Sequence, residues 1–109
     1  MINVDNERVY DIIETQDGVK DIKLCDWRVY NVGGSNNTIH FLGNTGVQGR
    51  VSSPIIEYDE KEKIGKTFSG ESFQLCGLMG YDQDAIKIFC KWLGIIGAPG
   101  VEDISERYV

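Results

Sequence analysis

The chain of 109 residues is 41% hydrophobic and 26% charged, a globular composition that predicts one domain covering residues 1–109. Its net charge of −6 argues against direct binding to nucleic acid, because such a surface needs basic side chains to displace phosphate counterions. No apolar run approaches the roughly 18 residues of a membrane span, and the N-terminus shows no secretory signal, so we expect a cytoplasmic protein without membrane contact.

The first predicted element is a short helix over residues 6–15. Asn6 is a suitable N-cap, and Val9, Ile12 and Ile13 recur at helical spacing. A strand over residues 8–13 is the alternative, because valine, tyrosine and isoleucine also favour sheets.

A β-hairpin follows, with strands over residues 27–32 and 38–43. The apolar alternation changes phase near Cys25 and Asp26, which predicts a bulge or a short break just before the first strand. Because the glycine-rich loop between the strands is short, we expect them to pair antiparallel.

The centre of the chain predicts two strands, over residues 50–58 and 63–75. A charged tip at residues 59–62 joins them, and the Ser69-Gly70 pair kinks the second strand. The acidic side chains here and in the C-terminal tail are candidates for contact with a partner. A solvated turn is the alternative interpretation of the tip, since mixed charges are ordinary in loops.

Pro54 places its strand at a sheet edge or at a bulge, because proline cannot donate a ladder hydrogen bond. Ile55 and Ile56 point to opposite faces of that strand, so we expect apolar neighbours on both sides. Phe73 and Leu75 share one face.

The clearest predicted element is an amphipathic helix over residues 82–93, with Asp82 as its N-cap and Gly94 at its end. Lys87 and Lys91 lie opposite its apolar stripe. The stripe consists of Ala85, Ile86, Ile88, Phe89, Trp92 and Leu93.

The predicted fold is α+β, an antiparallel sheet of four to six strands with the helix packed across one face and a short N-terminal helix. Residues 101–109 are either loosely ordered or docked through Ile104 and Tyr108. The aromatic side chains expected in the core are Trp27, Phe73, Phe89 and Trp92.

The sequence predicts no catalytic, metal-binding or cofactor-binding residue. His40 is the single histidine, and we expect it either to lie at a sheet surface or to make one hydrogen bond. Cys25, Cys76 and Cys90 are too few and too scattered for a zinc site, so we expect buried thiols. The glycine-rich stretches lack the Gly-Lys-Ser/Thr of a phosphate-binding loop and predict hairpin turns. A small ligand-binding or enzymatic module built around His40 stays open.

The candidate partner-binding residues lie in two acidic groups, one on the central hairpin and one on the tail. An acidic surface can dock on a basic partner, because complementary charge speeds encounter and rejects wrong partners. The candidates are Glu57, Asp59, Glu60 and Glu62 on the hairpin, and Glu102, Asp103 and Glu106 on the tail.

The second half of the chain resembles small uncharacterised proteins of bacteriophages and prophages. The shared features are a Ser-Pro strand, a Ser-Gly kink before an aromatic-x-Leu strand, and a capped helix with a tryptophan. In this chain they read Ser52-Ser53-Pro54-Ile55-Ile56, Thr67-Phe68-Ser69-Gly70-Glu71-Ser72-Phe73-Gln74-Leu75 and Asp82-Gln83-Asp84-Ala85.

The resemblance implies a protein that binds and disables a host protein, and anti-CRISPR inhibitors are one such class. The expected partner is a host protein or ribonucleoprotein complex with a basic surface, blocked sterically. A virion assembly protein, homo-oligomeric through the strand with Pro54, is the alternative. Whether a homodimer forms stays open.

Overall fold

The computed structural model describes residues 21–33 and 37–109. The helix predicted over residues 6–15 lies outside them. Within the described residues the elements are β1 (Asp21–Val32), β2 (Thr38–Asn44), β3 (Gly49–Val51), β4 (Ile55–Asp59), β5 (Ile64–Thr67), β6 (Ser72–Leu75), α1 (Gln83–Ile96), β7 (Val101–Asp103) and a 3-10 helix (Ser105–Tyr108).

The strands form one mixed sheet in the order β3-β2-β1-β6-β5-β4, and β7 pairs with β1. The α+β class is therefore confirmed. The expectation of a purely antiparallel sheet is wrong, because β1 and β6 run parallel, with Ile22 opposite Phe73 and Leu24 opposite Leu75. The remaining strand pairs are antiparallel, including the predicted pairing of β1 with β2.

The long strand β1 has three partners because a bulge interrupts it. The ladder with β2 shifts between Cys25 and Arg28, and Asp26 has a φ of 50°, a left-handed conformation that is uncommon outside glycine. Residues before the bulge pair with β6, whereas those at the end of the strand pair with β7. The phase change near Cys25 is confirmed as this bulge.

The predicted strand over residues 50–58 is two strands in the structure, interrupted at residues 52–54. The first, β3, pairs with β2, and the second, β4, begins directly after Pro54 and forms the end of the strand order. Ile56 is 62% exposed, so the expectation of apolar neighbours on both faces is wrong. The cause is a register shift between Ile55 and Glu57, which disrupts the alternation.

The predicted strand over residues 63–75 is also two strands. Gly70 has a φ of 95° and turns the chain back, so β5 and β6 pair with each other. The predicted hairpin of β4 and β5, with a charged tip, is confirmed.

Asp82 caps α1 as predicted, because its Oδ2 accepts a 2.9 Å hydrogen bond from the Ala85 N–H. The predicted end at Gly94 is wrong. The helix continues to Ile96, and Gly97 ends it in a left-handed conformation with a φ of 65°. Gly94 therefore lies within the helix, on its exposed side and with open space around it.

The core forms two clusters, one of them beneath α1. Trp27, Phe73, Phe89 and Trp92 are buried, as predicted. The tail is docked, because Ile104 is buried and Tyr108 packs against the core cluster that contains Trp27.

The cysteines depart from expectation. Cys25 and Cys90 are exposed and Cys76 is half-buried, so the prediction of buried thiols is wrong. Cys25 lies at the bulge of β1, and Cys90 lies on the solvent side of α1 between the buried residues Phe89 and Trp92.

Candidate functional site

The hairpin of β4 and β5 contacts the C-terminal tail through two tyrosines. The rings of Tyr58 and Tyr108 meet edge to face, with centroids 4.9 Å apart and planes at 70°. Both rings also contact Phe41 of β2 edge to face, at 5.8 and 5.7 Å. Phe41 is fully buried, so the tyrosines form the rim of the core. The two predicted acidic groups thus lie on adjoining elements.

The acidic residues of the hairpin are all exposed, and one of them shapes the tip. Asp59 Oδ1 accepts hydrogen bonds from the backbone N–H groups of Lys61 at 3.0 Å and Glu62 at 3.1 Å. This arrangement is an aspartate turn, which holds the tip in one conformation. The Glu62 carbonyl accepts a further bond of 3.1 Å from Gln74 Nε2, which ties the tip to β6.

Two of the tip acids, Asp59 and Glu60, lie near Tyr58. Burial raises the pKa of Tyr58, with further contributions from Tyr108 and from the charges of Glu60 and Asp59. Those carboxylates are therefore within electrostatic reach of the Tyr58 hydroxyl. Side chains alternate along a strand, so Glu57 projects away from Tyr58.

The hairpin is less acidic than its carboxylates alone indicate. It also carries Lys61, Lys63 and Lys66. Glu57 is in register with Lys66, so one of its acids faces a cation directly across the strands. Lys61 and Lys63 alternate with the tip acids Asp59, Glu60 and Glu62, so the negative charge of the tip is partly offset by its own cations.

Asp103 of the tail is committed to holding the structure together. Its Oδ2 lies 2.9 Å from Arg28 Nη2, and its Oδ1 accepts bonds from Ser105 Oγ at 2.6 Å and Ser105 N at 3.0 Å. Burial opposes ionisation of Asp103, but the hydrogen bonds from Ser105 and the Arg28 guanidinium outweigh it and hold its pKa below the usual value. Arg28 also lies 4.2 Å from the centroid of the Tyr81 ring.

The other tail acids face solvent. Glu102 lies 3.7 Å from Arg107, and both side chains are more than half exposed, so this pair contributes little to stability. Glu106 is exposed beside it. Glu102 and Glu106 are the tail carboxylates most accessible to a partner.

His40 lies in the core and makes two hydrogen bonds, so both expectations, a sheet-surface position or a single hydrogen bond, are wrong. Its side chain is fully buried, and its ring lies 4.7 Å from that of Trp92. Nδ1 lies 2.8 Å from the Ser52 carbonyl, and Nε2 lies 2.8 Å from Thr38 Oγ1. A carbonyl only accepts, so Nδ1 carries the proton and Nε2 accepts from the threonine hydroxyl.

The environment of His40 keeps it neutral. Burial lowers its pKa to about 4, and the hydrogen bond to Ser52 opposes this only in part. Both ring nitrogens already have partners within the fold, which leaves no nitrogen for a substrate or a metal. His40 therefore links three parts of the fold, namely its own strand β2, the segment that follows β3, and the helix α1.

A buried ion pair is the principal polar feature that sequence reasoning missed. Arg50 Nη2 lies 2.7 Å from Glu71 Oε2, and both side chains are less than a tenth exposed. The pair joins β3 to the turn between β5 and β6, where Glu71 N also donates to Thr67 Oγ1 at 3.1 Å. The two residues are far apart in sequence, so no local pattern indicates their contact.

Within the described ranges, no cluster of three or more histidine, cysteine, aspartate or glutamate side chains is arranged to hold a metal ion. In the part of the chain that the structure describes, no helix has the length and apolar character to cross a membrane.

Comparison of the chain with protein-family models, with curated proteins and with solved structures gives no match.

Proposed function

We propose that the chain is a non-enzymatic binding protein that inhibits a host defence or nucleic-acid-processing complex, in the manner of phage-encoded inhibitors. It occupies a basic surface of that complex and blocks it sterically. The observation that supports this proposal is the contact of Tyr58 with Tyr108, since it places the hairpin and the tail, the two elements that carry the acidic groups, against each other.

The residues of this surface fall into two kinds. Glu60, Glu62, Glu102 and Glu106 are exposed and available to a partner, whereas Asp103 is held by Arg28 and Ser105. Complementary charge at such a surface chiefly raises the association rate and the specificity. The interaction weakens as salt rises, because the Debye length is only about 8 Å at physiological ionic strength.

The test is capture of partners from a bacterial lysate by the tagged protein at low and moderate salt, read by mass spectrometry. We expect one defined complex with a basic surface, lost as salt rises. The variant Glu60→Gln/Glu62→Gln should lose most of it.

The matched control is Asp21→Asn/Asp26→Asn, which removes the same charge from exposed positions of β1. It should capture the complex as the wild type does. Capture by Glu60→Gln/Glu62→Gln at the level of the wild type would show that the tip is not part of the contact surface.

Assembly into homo-oligomers is the second candidate, favoured by the position of β4 at the end of the strand order and by the 62% exposure of Ile56. An exposed edge strand is a template for pairing with another chain. A discrete oligomer in sedimentation, dispersed by Ile56→Lys, would support this role.

A further inference from the structure

The free edge of β4 has the features of a site for an added strand. Among the described strands, β4 pairs with β5 alone and ends the strand order. Edge strands leave alternate N–H and C=O groups without ladder partners, and an extended peptide can bind them by continuing the sheet.

The side chains along this edge define the chemistry of the occupant. Glu57 and Asp59 are exposed and share one face of β4, two residues apart. A surface cavity of about 380 Å³ lies beside them, lined also by Tyr58, Ile64 and Lys66. One cation and two carboxylates therefore border the cavity, and the carboxylates are spaced as alternate residues of a paired strand.

We infer that β4 binds an extended, basic segment of the partner, which adds to the sheet as a further strand. This inference rests on the proposed function and specifies its binding mode. Main-chain hydrogen bonds to β4 supply affinity, and lysine or arginine at alternate positions faces Glu57 and Asp59. Arginine suits the carboxylates best, because its planar guanidinium binds them in a bidentate manner.

A second copy of this chain fits the edge less well. Antiparallel pairing of β4 with its own copy, centred on Glu57, places that carboxylate beside its equivalent. Asp59 then lies at each end of the same short pairing. Like charges directly opposite are destabilising, so the edge favours a basic strand over itself.

The experiment uses the 15N-labelled full chain titrated with a short peptide of alternating arginine and threonine, followed by NMR. We expect the amide signals of residues 56–58 to shift, and hydrogen exchange to slow at those of their amides that face the free edge. The same peptide with proline at its central threonine should lose this binding, because proline cannot donate to the ladder. An alternating glutamate-threonine peptide should not bind.

The variant Glu57→Gln/Asp59→Asn tests the side-chain contacts and keeps an oxygen at position 59 for the turn at the tip. We expect its affinity for the basic peptide to fall about tenfold. The control Asp21→Asn/Asp26→Asn carries the same charge change and should bind as the wild type does.

Equal binding of the proline peptide, or equal loss of affinity in the control variant, would overturn the inference and leave only attraction by net charge. If hydrogen exchange at residues 56–58 slows as the protein concentration is raised without any peptide, the edge binds a second copy of the chain instead. If the lysate complex is captured equally well by the β4 variant, this inference fails while the proposed function stands. If the peptide binds β4 but no lysate complex is recovered, the proposed function fails.

Discussion

Glutamine at position 71 should destabilise the fold strongly. The substitution Glu71→Gln keeps the shape of the side chain but removes the charge that Arg50 faces at 2.7 Å. Removing one partner of a buried ion pair costs about 3–5 kcal/mol. The free energy of unfolding of a domain this size is on the order of 5–15 kcal/mol, so the variant should lose a large part of it.

Urea unfolding followed by tryptophan fluorescence measures this loss. With a denaturant slope of about 1.5 kcal/mol/M, a loss of about 3 kcal/mol lowers the midpoint by about 2 M. The exposed pair of Glu102 and Arg107, at 3.7 Å, supplies the control. Glu102→Gln should change the free energy of unfolding by less than about 0.5 kcal/mol.

A double-mutant cycle with Arg50→Met and Glu71→Met isolates the pair from the other contacts of Arg50. We expect a coupling free energy of about 2–3 kcal/mol. Added salt should leave it unchanged, because buried pairs are poorly screened. Oε1 of Glu71 is buried and has no hydrogen-bond partner among the described residues, which limits the net stabilisation by the pair. A coupling below about 0.5 kcal/mol, or one abolished by salt, would refute the assignment of a buried pair.

Three further predictions concern His40, the tail and the helix junction. The pKa of His40 falls from 6.5 in the unfolded chain to about 4 in the folded one, so its contribution to the free energy of unfolding is fully present above pH 6.5 and is lost as pH falls toward 4. Urea titrations at several pH values should show a decline of about 3 kcal/mol, and His40→Gln should lack it. Ser105→Ala removes the hydroxyl that accepts a 2.8 Å hydrogen bond from the buried Val29 N–H, so we expect the free energy of unfolding to fall by about 1–3 kcal/mol and hydrogen exchange at that amide to accelerate. Unchanged exchange would contradict the docking of the tail. Gly49→Ala places a methyl group against the backbone of Ala85, so the free energy of unfolding should fall by about 1–3 kcal/mol and the thermal midpoint with it. Gly94→Ala has open space around the new methyl group and should raise the free energy of unfolding by about 0.5–1 kcal/mol. Similar shifts for both variants would mean that α1 does not pack against β3 as described.

The features predicted correctly from the sequence depend on neighbours along the chain. The Asp82 cap and the bulge near Cys25 each follow from a few adjacent residues. The end of α1 was misplaced for a related reason. Glycine inside a helix costs only about 1 kcal/mol, so packing carries the helix past Gly94 until Gly97 adopts the left-handed conformation.

The features missed depend on contacts between distant segments. The parallel pairing of β1 with β6 joins strands about fifty residues apart, and no local alternation specifies such a partner. His40 looks like a surface residue when only its strand is considered, because threonine and histidine alternate with apolar residues. The packing of Trp92 over it decides its burial, and that contact spans the chain.

The structure also distinguishes acidic residues that contribute equally to the net charge, because some are exposed and others are held by contacts within the fold. Residues 1–20 contain five acids and two bases, so half of the net charge of −6 lies outside the described residues. Among the tail candidates, Asp103 holds the tail through Arg28 and Ser105, whereas Glu106 is exposed beside them.

Loss of binding therefore has a different meaning at each tail position. Asp103→Asn should loosen the tail as well as weaken binding, so hydrogen exchange at the Ile104 amide, which donates to Val29 O at 2.9 Å, should accelerate. Glu106→Gln should weaken binding with that exchange unchanged. If Glu106→Gln also accelerates it, the carboxylate supports the tail and cannot be counted as a free contact for the partner.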